Sequence, residues 1–352
     1  MSGTKIIFDH TACRRAVGAK AAISDSRPGL ICERIRPVRS EPGIAYRSIL
    51  LVRSLRLLWG AVSLSVTLAS ASSSGTPFKP DDVIVLVGGE DVAASAENGR
   101  LELLLTKALP DYRLKFRHLA REGDTVFQQP RDLNYPPLPQ QLDQCGATVI
   151  LVQFGQMESL AGESGLSDFV AAYERLLDWM GGAGKRRLVV LGPTPVSRDL
   201  PARDRFKTLP AYAAAVRGIA GRREIPGIFM EDAAEPAPDH FRDGIHLNEN
   251  GLLALARLTA QVLGVGPRAA ATNQIDEHRL AGLIRTKNLL WFNYARPQNW
   301  AFLDGDRTVQ PSSRDHLDPS IRWFPEEMKR WLPLLEARER EIWQLAGQSV
   351  AR

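Results

Sequence analysis

Three short apolar runs constrain the fold of this chain more than any other feature. Val83-Ile84-Val85-Leu86-Val87, Thr148-Val149-Ile150-Leu151-Val152 and Leu188-Val189-Val190-Leu191 are too short for buried helices. They also lack the alternation of a strand with one wet face, so each reads as a strand buried on both sides. Glycine follows each run closely, at Gly88-Gly89, Gly155 and Gly192. Tyr112 to Leu119 alternates as a further strand, and Gly227 to Met230 reads as a short fifth.

Between these runs the apolar spacing is helical: Leu101, Leu104, Leu105 and Ala108, then Phe169, Tyr173, Leu176, Leu177 and Met180, stopped by Gly181-Gly182. Tyr212 to Ala220 and the stretch after Asn250 continue the series. Strands that alternate with helices imply a three-layer α/β/α sandwich around a five-stranded parallel sheet. Ligands bind such sheets at the carboxyl ends of the strands, near the switch in strand order. Chemistry is therefore expected in the loops after Val87, Leu119, Phe154 and Met230.

Charge divides the chain. Residues 1–71 hold eleven Lys/Arg and four Asp/Glu, a balance of +7 against +5 for the whole, so residues 72–352 carry −2. The basic character thus belongs to the N-terminus and gives the folded part no reason to bind nucleic acid. Arg53 and Arg56 precede an apolar run from Leu57 to Leu68, closed by Ala69-Ser70-Ala71. This is the plan of a secretory signal peptide over 52–71, too short to favour a stable membrane span, with an uncleaved N-terminal anchor as the alternative. Residues 1–51 form a basic leader without periodicity, consistent with a true start near Val52. Export to the periplasm or the medium is the expectation. Cleavage at Ala71 would leave Cys145 alone, excluding an intramolecular disulfide and making it a core residue.

Residues 72–80 read as a linker, 81–266 as the α/β domain and 267–352 as a C-terminal helical extension. The extension carries Trp291, Trp300, Trp323, Trp331 and Trp343, with a terminal helix over Leu334 to Leu345. Aromatics beside Arg and Asn can rim a sugar site, but helices docked through tryptophan explain them as well.

Asp243-Gly244-Ile245-His246 places an aspartate and a histidine three residues apart at a helix entrance. Such a pair can serve as orienter and general base. Among the other histidines, His118 falls within a strand and reads as a satisfied core or edge residue. His240 lies in a proline-rich turn, and His278 and His316 lie in polar stretches. Gly123-Asp124-Thr125 is also an ordinary helix-cap sequence. No spacing among Glu90, Asp91, Asp243 and His246 requires a metal ion, and no cofactor is expected.

Taken in order, Gly88-Gly89-Glu90, Gly123-Asp124-Thr125, Gly155-Gln156-Met157-Glu158 and Asp243-Gly244-Ile245-His246 resemble the blocks of the SGNH/GDSL hydrolases. The resemblance covers roughly residues 80–346. It is nearest a bacterial branch of planctomycete type with a C-terminal extension, whose serine position is often replaced. It implies an SGNH or flavodoxin-like fold and ester hydrolysis, with acylated carbohydrate as substrate class. His246 matches the family's general base and Asp243 its orienter. Gly123 matches an oxyanion donor. The nucleophilic serine falls on Glu90, and the oxyanion asparagine on Met157. Gly89, Gly155 and Glu158 flank these positions as oxyanion or substrate-binding candidates.

A carboxylate cannot act as the serine alkoxide, and a thioether cannot donate a hydrogen bond. Three readings stay open. His246 with Asp243 activates water, aided by Glu90 or Asp91. The fold is instead an inactive binding module for a small-molecule or carbohydrate ester. Or a nucleophile comes from Ser95, Thr125 or Ser159. Oligomeric state is not legible.

Overall fold

The computed structural model describes residues 76–233, 236–265 and 276–348. The leader and signal-peptide readings of residues 1–71 lie outside the described residues, as does the domain boundary at 266/267. Five parallel strands form one sheet in the order β2-β1-β3-β4-β5. They are β1 Val83–Gly88, β2 Lys115–His118, β3 Val149–Gln153, β4 Arg187–Leu191 and β5 Gly227–Ile228. Ile84 pairs with Val149 on one side and Phe116 on the other. The chain leaves β1 for β2 and then crosses to β3, so the switch in strand order falls between β1 and β3.

Both faces of the apolar strands are covered. Val85, Val87, Ile150, Val152 and Val190 pack against α3 (Leu138–Gln144), α4 (Leu166–Gly181) and α5 (Leu209–Arg222) through Leu142, Phe169, Tyr173 and Tyr212. Ile84, Leu86, Leu151 and Val189 face α2 (Arg100–Ala108) and α6 (Glu249–Val262) through Leu105, Ala260 and Leu263. The three-layer expectation therefore holds.

Two strands are shorter than their sequence pattern. Pro110 opens a 3-10 turn over Pro110–Tyr112 and Arg113 takes a φ of 49°, so β2 begins only at Lys115. β5 ends at Ile228 because Met230 opens another 3-10 turn. A helix α1 (Glu90–Asn98) precedes α2, and the two meet at Gly99 with φ 61°. A Cβ there would stand 2.5 Å from Cγ2 of Ile284, so glycine is required by both conformation and space.

The C-terminal extension has no separate hydrophobic interior. All described residues fall in one compact unit, Ser70–Arg352. Trp291 of α7 (Glu277–Ala295) and Leu335 of the terminal helix (Trp331–Gly347) belong to the main core. Helix α7 lies along the outer edge of β2, where the alternate carbonyls that face away from β1 need donors. Trp343 Nε1 donates to Leu114 O at 3.1 Å, Lys287 Nζ lies 3.4 Å from Phe116 O, and Trp291 Nε1 donates to His118 O at 2.8 Å. The Arg296 guanidinium takes Ala120 O. Trp300 likewise donates to Leu133 O. Docking thus accounts for three of the tryptophans.

Behind this edge lies a buried ion network. Lys287 Nζ meets Glu102 Oε2 at 2.7 Å, and Arg117 Nη1 meets Glu339 Oε1 at 2.5 Å. Burial pushes the Glu102 carboxyl up and the Lys287 ammonium down, each opposed by the attraction of its partner.

Candidate active site

The strand ends deliver the site. Gly88 closes β1 and α1 starts at Glu90, so Glu90 and Asp91 occupy the first helical turn beside the switch in strand order. A narrow cleft of about 40 Å³ lies there, bounded by Gly89, Glu90, Asp91, Asp124, Gly155, Met157 and Thr194. The Asp243–His246 loop does not line it but is tied to two residues that do, Asp91 through the Leu247 N–H and Gln156 through Ile245 O. Asn248 caps α6 by accepting the N–H groups of Asn250 and Gly251, which fixes the helix start just beyond His246.

The Asp243–His246 pair is built locally. Asp243 Oδ1 accepts the backbone N–H of Ile245 at 3.0 Å and of His246 at 2.8 Å. Its Oδ2 stands 2.7 Å from His246 Nδ1. Partial burial acts against the Asp243 carboxylate, but the N–H and imidazole of His246 and the N–H of Ile245 outweigh it and hold its pKa at about 2. An ionised Asp243 accepts a hydrogen bond from Nδ1–H, so Nε2 is the nitrogen left to accept a proton. Gly244, at φ 86°, permits the tight turn.

Asp91 ties this loop to the sheet. It is 7% exposed, and its Oδ1 accepts the Leu247 N–H at 2.9 Å. Burial raises its pKa, opposed by hydrogen bonds from Thr194 and Leu247 and by nearby His246. Gln156 makes a second tie, donating through Nε2 to Thr194 O at 3.0 Å and to Ile245 O at 3.1 Å. Thr194 and Gln156 were not singled out by sequence. The signal for Thr194 was its place just after Gly192-Pro193, at the end of a buried strand.

The remaining candidates fare differently. Glu90 is half-buried, and its carboxylate accepts from Arg242 at 3.1 Å. Glu158 also lines the cleft, with each carboxylate oxygen already accepting one backbone N–H: Oε1 that of Val126 and Oε2 that of Gly155, both at 2.8 Å. It staples the loop after β2 to the loop after β3. Gly155, at φ 120°, therefore has its N–H occupied and offers no oxyanion donor. Met157 is exposed at the mouth of the cleft. Gly123 is exposed on a turn and lies outside the cleft walls, whereas its neighbour Asp124 is buried and paired to both terminal nitrogens of Arg131.

The alternative nucleophiles are engaged locally. Ser95 donates to Val92 O, Thr125 pairs with Gln128, and Ser159, fully buried, donates to Gln156 O. Each hydroxyl is bound within its own turn, and none of the three lines the cleft. His278 and His316 are exposed as expected, but the Nδ1 atoms of His118 and His240 are buried without a partner. His118 is thus not the satisfied edge histidine its strand position suggested. Cys145 is half-buried against the core, with its thiol pushed up to about 11 by burial. Among the described residues no group of three or more His, Cys, Asp or Glu is placed to hold a metal ion. Nor is any described helix long and apolar enough to cross a membrane.

No known protein-family profile matches the chain, and no curated protein does. Solved structures similar to it include hydrolases of the GDSL and esterase type. A lipase/acylhydrolase from Enterococcus faecalis is 14% identical, covering 54% of this chain and 100% of its own, with a TM-score of 0.41. An acetyl xylan esterase from Geobacillus stearothermophilus is 13% identical, covering 55% and 99%, with a TM-score of 0.40. A GDSL-like lipase from Bacteroides thetaiotaomicron is 13% identical, covering 52% and 87%, with a TM-score of 0.37. At these values the likeness adds nothing to the fold that the strand order already defines.

Proposed function

We propose that this chain is an ester hydrolase of SGNH/GDSL type that uses water in place of a serine nucleophile, and that it acts on acylated carbohydrate. The observation that carries the reading is the 2.7 Å contact between Asp243 and His246 Nδ1, on a loop tied to the cleft through Asp91 and Gln156. His246 Nε2 takes a proton from water as its oxygen attacks the ester carbonyl. The tetrahedral intermediate then collapses, and the alkoxide leaves with the proton returned from His246, giving acid and alcohol. Arg242, held between Glu90 and Asp243, supplies positive charge near the oxyanion, a role that the Gly155 N–H and Met157 cannot fill.

The occupied Gly155 N–H and the missing donor at Met157 favour slow turnover, since one lost oxyanion donor costs about 100–1,000-fold. The same observations support the second reading, an inactive descendant that binds a glycan. Hydrolysis of 4-nitrophenyl acetate and acetylated xylan by residues 72–352, beside His246→Ala, separates them. Turnover that vanishes in the variant, with no labelling of wild type by a fluorophosphonate, is the expected result. No turnover by folded wild type would leave only the binding reading. Export of the chain is part of the proposal and rests on residues 52–71; a mature N-terminus near Ser72 in the extracytoplasmic fraction would be its signature.

A further inference from the structure

A second cavity, of about 460 Å³, lies between α1 and α7 at the carboxyl end of β2. That size falls within the ordinary range of ligand pockets. It shares Glu90 with the narrow cleft and includes Arg242, the neighbour of Asp243. A molecule seated there would therefore point one end at the Asp243–His246 loop.

Its polar wall is incomplete. Asn288 is only 4% exposed; its amide nitrogen donates to Ala96 O at 2.9 Å, but its Oδ1 has no partner. An unsatisfied buried acceptor is costly, and a donor in the cavity would satisfy it once the Asn288 amide turns toward that space. His118 lines the same wall with Nδ1 unpartnered. Burial and the cations Lys287, Arg296 and Arg117 push its pKa down to about 3, so the imidazole is neutral and carries both a donor and an acceptor.

The opposite character is apolar. Leu289 and Phe292 of α7 are 60% and 45% exposed and join no core cluster; the Arg296 guanidinium stands over one face of the Phe292 ring, 5.0 Å from its centre, leaving the other face for a ligand. They face a cavity whose α1 side is lined by Ala93, Ala94 and Ala96, short side chains that leave it open. The charges around it balance: Glu90, Glu97 and Glu122 against Arg242, Arg285 and Arg296. Two of these acids are already paired, Glu90 with Arg242 and Glu122 with Arg296. Such a cavity gives no advantage to a strongly anionic or cationic ligand. It suits a neutral molecule with hydroxyl donors on one side and a C–H face on the other.

We infer that the α1/α7 cavity is a binding site for a neutral glycosyl unit, with a hydroxyl donating to Asn288 Oδ1 and the ring face resting on Phe292. The placement beside Glu90 and Arg242 makes it the alcohol-side subsite of the proposed ester hydrolysis, and in that respect it rests on the function proposed above. Binding can nonetheless be read without turnover.

The test is titration of neutral trisaccharides of pentose, hexose and N-acetylhexosamine into residues 72–352 by calorimetry. Wild type, His246→Ala, Asn288→Ala and Phe292→Ala are compared, with circular dichroism to verify folding. At least one sugar should bind wild type and His246→Ala equally, and should bind both cavity variants about tenfold or more weakly. Phe292 is exposed, so its variant keeps the test informative if Asn288→Ala fails to fold. No binding of any trisaccharide to folded wild type at millimolar concentration overturns the assignment, whether or not the ester is hydrolysed. So does binding that survives in Phe292→Ala. Preferential binding of a uronic-acid trisaccharide, lost in Arg285→Glu, would overturn its neutral character. Binding without any turnover would keep the site and reject the hydrolase.

Discussion

Two regions of this molecule bring acid and base together, under opposite conditions. At the Asp243–His246 loop the pair is open to solvent and held by backbone N–H groups within four residues of sequence. At the outer edge of β2, Lys287–Glu102 and Arg117–Glu339 are buried, and their partners lie 185 and 222 residues apart. An exposed pair contributes little to stability and is free to exchange protons with a substrate. A buried pair of distant residues cannot exchange readily and instead ties parts of the chain to one another. Chemistry and architecture thus use the same side chains in different dielectric surroundings.

The largest expected effect sharpens the first half of this contrast. His246→Ala should reduce hydrolysis by about 10²–10⁴-fold, while its denaturation midpoint stays close to wild type. A large drop in midpoint would place His246 among the structural residues and break the comparison. Next, Lys287→Met should destabilise by about 3–5 kcal/mol, because Glu102 is left charged and buried. Urea denaturation of that variant and of Lys287→Met/Glu102→Leu tests this, with most of the loss recovered in the double variant. Equal losses in both would show that packing, not charge, holds the edge.

Glu158→Gln should cost less, about 1.5–3 kcal/mol, since a carboxylate that accepts two backbone N–H groups loses one acceptor. Thermal unfolding measures it, and unchanged stability would mean that the staple between the two loops is dispensable. The smallest effects are in pH. Asp243 falls from 3.8 unfolded to about 2 folded, so its contribution is present above 3.8 and lost as pH falls through about 2. At its exposure this is under about 1 kcal/mol. Asp91 runs the other way: its raised folded pKa gives a contribution that is full below 3.8 and lost as pH rises through the folded value. Asp91→Asn should flatten that slope in melting temperature against pH, and an unchanged slope would remove Asp91 as its source.

What was legible in the sequence follows from range. The sheet announced itself because burial on both faces needs continuous apolar runs such as Val83 to Val87. Asp243 and His246 were legible because their geometry closes within one turn. The stapling role of Glu158 was hidden because Val126, which occupies one of its oxygens, lies 32 residues earlier. Thr194 was missed because its role depends on Asp91 from a different strand end. Gly123 was placed by block order alone, and block order does not say which side of a turn faces the cleft. The unsatisfied nitrogen of His118 reflects how α7 packs, which no local pattern encodes.

The covering of β2 also has a consequence in time. Phe116 leaves the ribosome 171 residues before Lys287, and Leu114 leaves 229 residues before Trp343. At synthesis rates of about 5–20 residues per second, the first interval alone is on the order of 10–30 s. Through that interval a nascent sheet would carry an open edge able to recruit strands from neighbouring chains. The late helices therefore set a deadline for productive folding. A holdase that shields the chain until the last helix emerges should raise yield more than one that acts only on the finished protein.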